Sequence, residues 1–202
     1  MAFDPSRPFA DKLTLRGERT VLRPFETPDI DAMGEILADP EVLRLTGSVQ
    51  SSEEAATRSA ELDERTRAWY DTRHEHADRL DLAVIDLATG GCVGEAVLND
   101  WSAEQLSCNF RILLGPGGRD RGLGSEATRL TVDHAFSTTE LHRLELEVFA
   151  FNLRAQRVYE KAGFVVEGVR RDALRFDGGY VDAIIMSILR PEWEARRAAS
   201  PS

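Results

Sequence analysis

Between Leu113 and Ala127 the chain crowds Gly115, Gly117, Gly118, Gly122 and Gly124 around Arg119 and Arg121. Glycines let a backbone approach a ligand closely and take positive φ. Arginines add fixed positive charge suited to phosphate oxygens. An apolar run through Phe110 and Ile112–Leu114 enters this stretch, and Leu123, Ala127 and Leu130 leave it at helical spacing. A strand, a glycine loop and a helix therefore follow one another. The first N–H groups of such a helix lack internal partners and sit at the positive end of its dipole. The chemistry expected here is the binding of a phosphate or pyrophosphate.

Periodicity and helix breakers outline the elements that must position this cradle. Thr20–Arg23 reads as a strand. Thr27-Pro28-Asp29 has the form of a helix start, with a hydroxyl N-cap, a proline and an acid in the first turn. Ile30, Met33, Ile36 and Leu37 mark the buried face of that helix, and Pro40 its end. Residues 41–50 read as a connection. Ser51 and Glu54 have capping-box spacing and open a long polar helix to about His76, one that covers a core edge or flanks a cleft. Leu82–Leu87, Cys92–Leu98 and Gln105–Leu114 read as strands, the first two joined at Thr89-Gly90-Gly91. A helix follows from Gly122 to about Ser137, then a strand from Arg143 to Phe151, then a short helix from Asn152 that Gly163 terminates. Phe164–Phe176 and Tyr180–Leu189 form a last hairpin through Asp177-Gly178-Gly179. The order is β-α-α-β-β-β-α-β-α-β-β, an α/β (α+β) arrangement on a mixed central sheet with one β-α-β crossover. One domain over residues 13–193 is expected, with residues 1–12 a loose arm and residues 194–202 frayed.

Three kinds of phosphate site compete for the glycine loop. A Walker loop needs a lysine at its end, and residues 115–131 contain none. Gly122-Leu123-Gly124-Ser125-Glu126-Ala127 matches the dinucleotide string G-x-G-x-x-A, but a hairpin meander precedes it where repeated β-α-β units are required. A dinucleotide-dependent oxidoreductase is thus a minor alternative. The third match is Arg119-Asp120-Arg121-Gly122-Leu123-Gly124, which resembles the acetyl-coenzyme A loop [QR]-x-x-G-x-[GA] of the GNAT superfamily. After the crossover strand, Asn152 to Phe164 is similar to the second signature of that family, N-x-x-A-x-x-x-Y-[EQ]-[KR]-x-G-F. Leu22-Arg23-Pro24, Leu141-His142-Arg143, Gly168 to Arg170 and Asp177 to Leu189 ahead of Glu192-Trp193 resemble its RimJ/RimL branch. The likeness covers about residues 13–193.

The resemblance implies a GNAT fold with splayed strands and direct transfer of acetyl from acetyl-CoA to a primary amine, either a protein N-terminus or a small molecule. It assigns the pyrophosphate to backbone N–H groups of Gly117, Gly122, Leu123, Gly124 and Ser125, with Arg119 and Arg121 beside them. The backbone of Ile112, Leu113 and Leu114 would hold the pantetheine and the thioester carbonyl. Asn152 caps the next helix or bonds the pantetheine amide. Tyr159 lies seven residues on, two helical turns later, and in the family a tyrosine there protonates the departing thiolate. Ala155 stands where RimL-like members often carry a serine. The general base stays open. Ser107–Arg111 carries no acid, so Glu95 on the preceding strand is a candidate, as are Glu145, Glu147, His142 or a water chain. Glu126 reads as a support of the loop. A non-catalytic acyl-CoA-binding sensor on the same fold is the rival reading.

Composition narrows the partners. A net charge of −10 over 202 residues argues against a nucleic-acid binder and suits either a cationic amine or a solvated acidic surface. No run approaches a membrane span, and Met1–Asp11 has no signal-peptide core, so a cytoplasmic location without membrane attachment is expected. Cys92 and Cys108 have no metal-ligand spacing and read as reduced thiols on neighbouring strands; no metal is expected. Homodimers are common in the family, and the resemblance extends that expectation here.

Overall fold

Every residue of Leu80–Asp86 is buried, as a strand covered on both faces requires. It is the third strand in the computed structural model, which describes residues 3–199. The strands are β1 (Leu15–Arg16), β2 (Thr20–Arg23), β3 (Leu80–Asp86), β4 (Cys92–Ser102), β5 (Ser107–Leu114), β6 (Arg143–Phe149), β7 (Val165–Phe176) and β8 (Gly179–Leu189). They form one sheet in the order β1-β2-β3-β4-β5-β6-β8-β7. All neighbours are antiparallel except β5 and β6, which are parallel. The sheet is therefore mixed, as the hairpin and crossover signals require.

Strand alternation sends side chains to two cores. Leu82, Val84, Ala96, Leu98, Phe110, Leu144, Leu146 and Val148 pack with α5 (Leu123–Thr138) and α6 (Leu153–Ala162). On the other face, Leu113 and Cys92 meet Ile30, Met33 and Ile36 of α1 (Thr27–Ala38) and Tyr70 of α4 (Glu64–Thr72). Cys92 and Cys108 lie on adjacent strands but near opposite ends of the β4–β5 ladder, and both are free.

Several elements differ from the sequence reading. The N-cap of α1 is Glu26, with Thr27 already helical; the Glu26 N–H donates to the Asp29 carboxylate at 2.8 Å. Pro40 does not merely end α1: it opens α2 (Pro40–Thr46), capped by Asp39, which accepts from Val42 N at 2.9 Å. Proline is as favourable in a first helical turn as it is unfavourable inside one. The long polar helix is broken into α3 (Ser52–Ala56) and α4, followed by a 3₁₀ turn over Arg73–Glu75. Between them the chain crosses α1 so closely that a Cβ on Gly34 would lie 2.2 Å from the Ala60 carbonyl oxygen.

Both terminal segments are anchored. Phe9 is buried and its N–H donates to the Ala77 carbonyl at 2.9 Å. Trp101 Nε1 donates to the Pro5 carbonyl at 2.8 Å. Lys12 Nζ donates to the His76 carbonyl at 2.6 Å, and burial pulls its pKa down to about 8. At the other end α7 (Arg190–Ala199) buries Trp193 against Phe136, the rings 5.4 Å apart. The frayed tail expected over residues 194–202 is thus helical as far as Ala199; residues 200–202 lie outside the described residues.

Glu126, in the first turn of α5, holds the opposite end of the sheet. Its carboxylate accepts from the backbone N–H groups of Glu18 (2.8 Å), Arg19 (3.0 Å) and Thr20 (2.7 Å) and from the Thr20 hydroxyl (2.7 Å). Gly17 leaves room for it: a Cβ there would fall 2.4 Å from Glu126 Cδ. Desolvation alone would raise the Glu126 pKa, but these hydrogen bonds hold it below the ordinary range. Glu126→Gln should therefore lower unfolding stability by about 2 kcal/mol in urea titrations at neutral pH. The contribution is complete above the ordinary Glu pKa and vanishes as pH falls through the depressed folded value. The difference between parent and variant should close over that interval; a pH-independent difference would refute the assignment.

Candidate active site

β5 and β6 pair over only three residues each: Ser107, Cys108 and Asn109 opposite Arg143, Leu144 and Glu145. Beyond that point β5 stays on β4 as far as Leu114, while β6 stays on β8 as far as Phe149. The two strands part, and a cleft of about 760 Å³ opens between them. Half of the backbone N–H and C=O groups of Phe110–Leu114 point away from β4, so they face the gap with no neighbouring strand to take them. Phe110 stands at the fork, its ring 6.2 Å from that of Tyr159 and 6.1 Å from that of Phe164.

The N-terminus of α5 forms one end of the cleft. Gly118, Arg119, Asp120, Gly122, Gly124 and Ser125 line it. Gly122 precedes the helix at φ 80°, and the Glu126 N–H makes the first helical bond, to Gly122 O at 3.1 Å. The N–H groups of Leu123, Gly124 and Ser125 are consequently left for a ligand. Thr128, one turn further along, is fully buried on the cleft wall, and its hydroxyl finds no partner among the described residues. Strand groups without a strand, helix N–H groups without acceptors and an orphaned hydroxyl fit a long polar ligand ending in phosphates.

Not every predicted residue faces the cleft. Gly117, Arg121 and Leu123 lie outside its wall: Leu123 has its side chain in the core, and Arg121 turns back to Asp86 (2.7 Å) and to the Gly117 carbonyl (2.9 Å). Arg119 is on the wall but already occupied. Its Nε donates to Leu114 O at 3.0 Å, one Nη to Glu41 at 2.8 Å, and the other to Asp39. Arg154 of α6 also reaches Glu41, at 2.8 Å. Arg119 thus ties the last carbonyl of β5 to the start of α2 and shapes the loop. Asn152 caps α6, accepting from Ala155 N at 3.1 Å, and lines the cleft.

Near the fork are the titratable groups. Tyr159 is buried on the cleft wall, and burial pushes its phenol pKa well up; it stays protonated across the neutral range. No described residue hydrogen-bonds its hydroxyl. Glu95 is also buried on the wall. Its Oε2 takes Arg73 Nη1 at 2.6 Å and Tyr70 OH at 3.2 Å, which leaves Oε1 without a hydrogen bond from any described residue. Tyr70 is likewise raised, first by burial and then by the Glu95 charge. Glu147 lines the cleft and pairs with Arg170 at 2.7 Å. Glu145 and His142 do not line it. Tyr70 and Arg73 were not singled out from sequence. Their partner lies 22 to 25 residues away on another element, and no local pattern announces such a pair. Among the described residues no group of His, Cys, Asp and Glu could hold a metal ion, and no helix is long and apolar enough to cross a membrane.

Parted parallel strands beside a helix N-terminus, with a protonated tyrosine at the fork, define a fold that binds an extended phosphate-bearing cosubstrate. Residues 19–165 match the family described as the acetyltransferase (GNAT) domain, and the chain belongs to that family. It is an acetyl-CoA-dependent N-acetyltransferase. A Bacillus subtilis relative named as a probable N-acetyltransferase, YjcK, is 43% identical over 74 residues, which are 37% of this chain and only 41% of that protein. The spermidine N(1)-acetyltransferase of Escherichia coli is 27% identical over 175 residues, 86% of this chain and 88% of that one. The Vibrio cholerae spermidine N-acetyltransferase, solved in complex with CoA and spermine, superposes with a TM-score of 0.72 at 21% identity, covering 88% of this chain and 99% of that one.

If Arg119 holds the loop in its binding shape, the three directions of its guanidinium matter and a lysine cannot supply them. Arg119→Lys should weaken acetyl-CoA binding about tenfold, or about 1.4 kcal/mol, by calorimetry, and should also lower the melting temperature. An unchanged Kd would show that the clamp is not needed for binding.

Proposed function

We propose that this chain is a RimJ/RimL-type N-acetyltransferase that acetylates a primary amine by direct attack, without a covalent enzyme intermediate. The observation that carries the reading is the fork between β5 and β6, where a cleft with free backbone groups meets Tyr159 on one side and Glu95 on the other. Acetyl-CoA supplies an activated acetyl thioester. The α5 N-terminus and its loop bind the phosphates, and the open edge of Ile112–Leu114 holds the pantetheine. A backbone N–H of that edge stabilises the negative charge that develops on the carbonyl oxygen.

Proton traffic follows from the two burials. Glu95 Oε1, the oxygen that Arg73 and Tyr70 leave free, accepts a proton from the incoming ammonium directly or through one water. Its fixed carboxylate also orients that ammonium. As the new N–C bond forms and the C–S bond breaks, Tyr159 OH gives its proton to the departing sulfur, and the second proton that the nitrogen sheds on becoming an amide returns to the phenolate through water. The raised pKa of Tyr159 keeps its own proton in place until a thiolate is there to take it. Asn152 serves first as the cap of α6, which carries Tyr159 on the same helical face. Neither cysteine is placed for nucleophilic catalysis; burial raises both thiols, Cys92 to about 11.

Tyr159→Phe tests the acid role. It should lower kcat about a hundredfold while the acetyl-CoA Kd, measured by calorimetry, stays within twofold. A variant as active as the parent would remove Tyr159 from the chemistry. Acetyl-CoA at a hundredfold excess over its Kd should stabilise the parent by about 2.7 kcal/mol. Binding without thiol release for any amine would instead favour the acyl-CoA sensor.

A further inference from the structure

The acceptor side of the cleft carries an unbalanced charge. The β4–β5 register pairs Glu95 with Leu113 and Val97 with Arg111, so Glu95 and Arg111 share one face of the sheet. Three guanidinium groups meet two carboxylates there. Asp81 takes Arg79 in two hydrogen bonds of 2.6 and 2.8 Å and stands 3.5 Å from Arg73 Nε. Glu95 takes Arg73 through Oε2. Arg111 is left over. It makes no hydrogen bond to any described residue, and its nearest carboxylate oxygen is Glu95 Oε1 at 3.8 Å. Its side chain is 55% exposed and lines the cleft.

The other charges on the wall are spent. Arg119 and Arg154 are held by Asp39, Glu41 and Asp120, and Glu147 by Arg170. In a chain of net charge −10, one surplus positive charge facing a cleft is where an anionic group gains most. Arg111 and Glu95 Oε1 thus stand side by side as a cation and an anion. An acceptor with a carboxylate close to its ammonium presents the same pair with the polarity reversed.

We infer that the acceptor is an amino carboxylate, and that Arg111 selects it by pairing with the carboxylate while the amine turns towards Glu95 Oε1. The inference rests on the acetyl-transfer reading above. A polyamine would bring further positive charge to a wall that already holds one too many, and among the described residues each carboxylate on that wall already faces an arginine.

Thiol release at saturating acetyl-CoA decides it. Each of a panel of α-, β- and γ-amino acids is assayed beside its carboxamide and its decarboxylated amine. The best acceptor should be a free acid, with kcat/KM at least about tenfold above its two partners. Arg111→Gln should collapse that ratio towards one through KM for the acid, with the acetyl-CoA Kd and melting temperature unmoved. Arg111→Lys should restore part of the preference. Turnover of amides or simple amines as fast as acids overturns this inference alone, as does a preference that survives in Arg111→Gln. A polyamine and a peptide with a free N-terminus complete the panel: turnover of those alone overturns this inference and leaves acetyl transfer standing, whereas thiol release from no member overturns both.

Discussion

The structure depends on two parallel strands that are allowed to touch for only three residues. A parallel pair usually continues for the length of its strands, because each step satisfies backbone groups that would otherwise need water. Here β5 and β6 have better partners on their outer sides: β4 takes β5 to Leu114, and β8 takes all of β6. Sheet twist then carries the two strands apart. Phe110, Tyr159 and Phe164 pack edge-to-face and stacked at the fork and hold it open as a wedge. The same three rings fix α6 against the sheet, so the element that opens the cleft also places its candidate acid.

Electrostatics then divides the cleft into two ends. At the α5 end the positive contribution comes from backbone N–H groups, because the arginines that sequence suggested for the task are engaged. Arg119 is bound by Asp39 and Glu41, and Arg121 by Asp86. These pairs bring the loop, α2 and the β3 end into one unit and leave the amides free. Such preorganised donors lose little on binding an anion, whereas a free surface arginine would have to be ordered first. At the acceptor end the charges are side chains, buried and close. Their desolvation is costly unless each is paired, which is why the unpaired members there carry information.

The parts legible in sequence are those with local causes. The glycine loop, the hairpin turns, the Asn152 cap and the alternation of Leu144, Leu146 and Val148 each follow from neighbours within a few residues, and all appear where the residues indicate. Errors arose where one residue permits two outcomes. Pro40 could end a helix or begin one, and the choice fell to Asp39 as a cap. The break between α3 and α4 depends on Gly34, some twenty residues upstream, giving way to the Ala60 carbonyl. The N-terminal arm looked loose because a lone Phe9 has no period, although it buries a large ring. Arg119 was readable as a residue of the phosphate loop but not as a clamp, since its partners lie 78 and 80 residues away.

Glu95, the proposed proton acceptor, depends on neighbours that local sequence does not announce. A buried carboxylate alone would resist ionising and make a strong base, yet it would also be expensive to keep. Arg73 and Tyr70 offset that cost through Oε2 and hold the carboxylate in one orientation. What remains is Oε1, fixed beside the cleft and without a hydrogen bond from any described residue. Such a group suits an ammonium that needs orientation and a short path for its first proton; the nitrogen sheds its second proton readily, because bonding to carbon makes it acidic. The chemistry then asks for a carboxylate held in place by neighbours, and those neighbours come from α4 and the turn after it, which no motif in the chain marks.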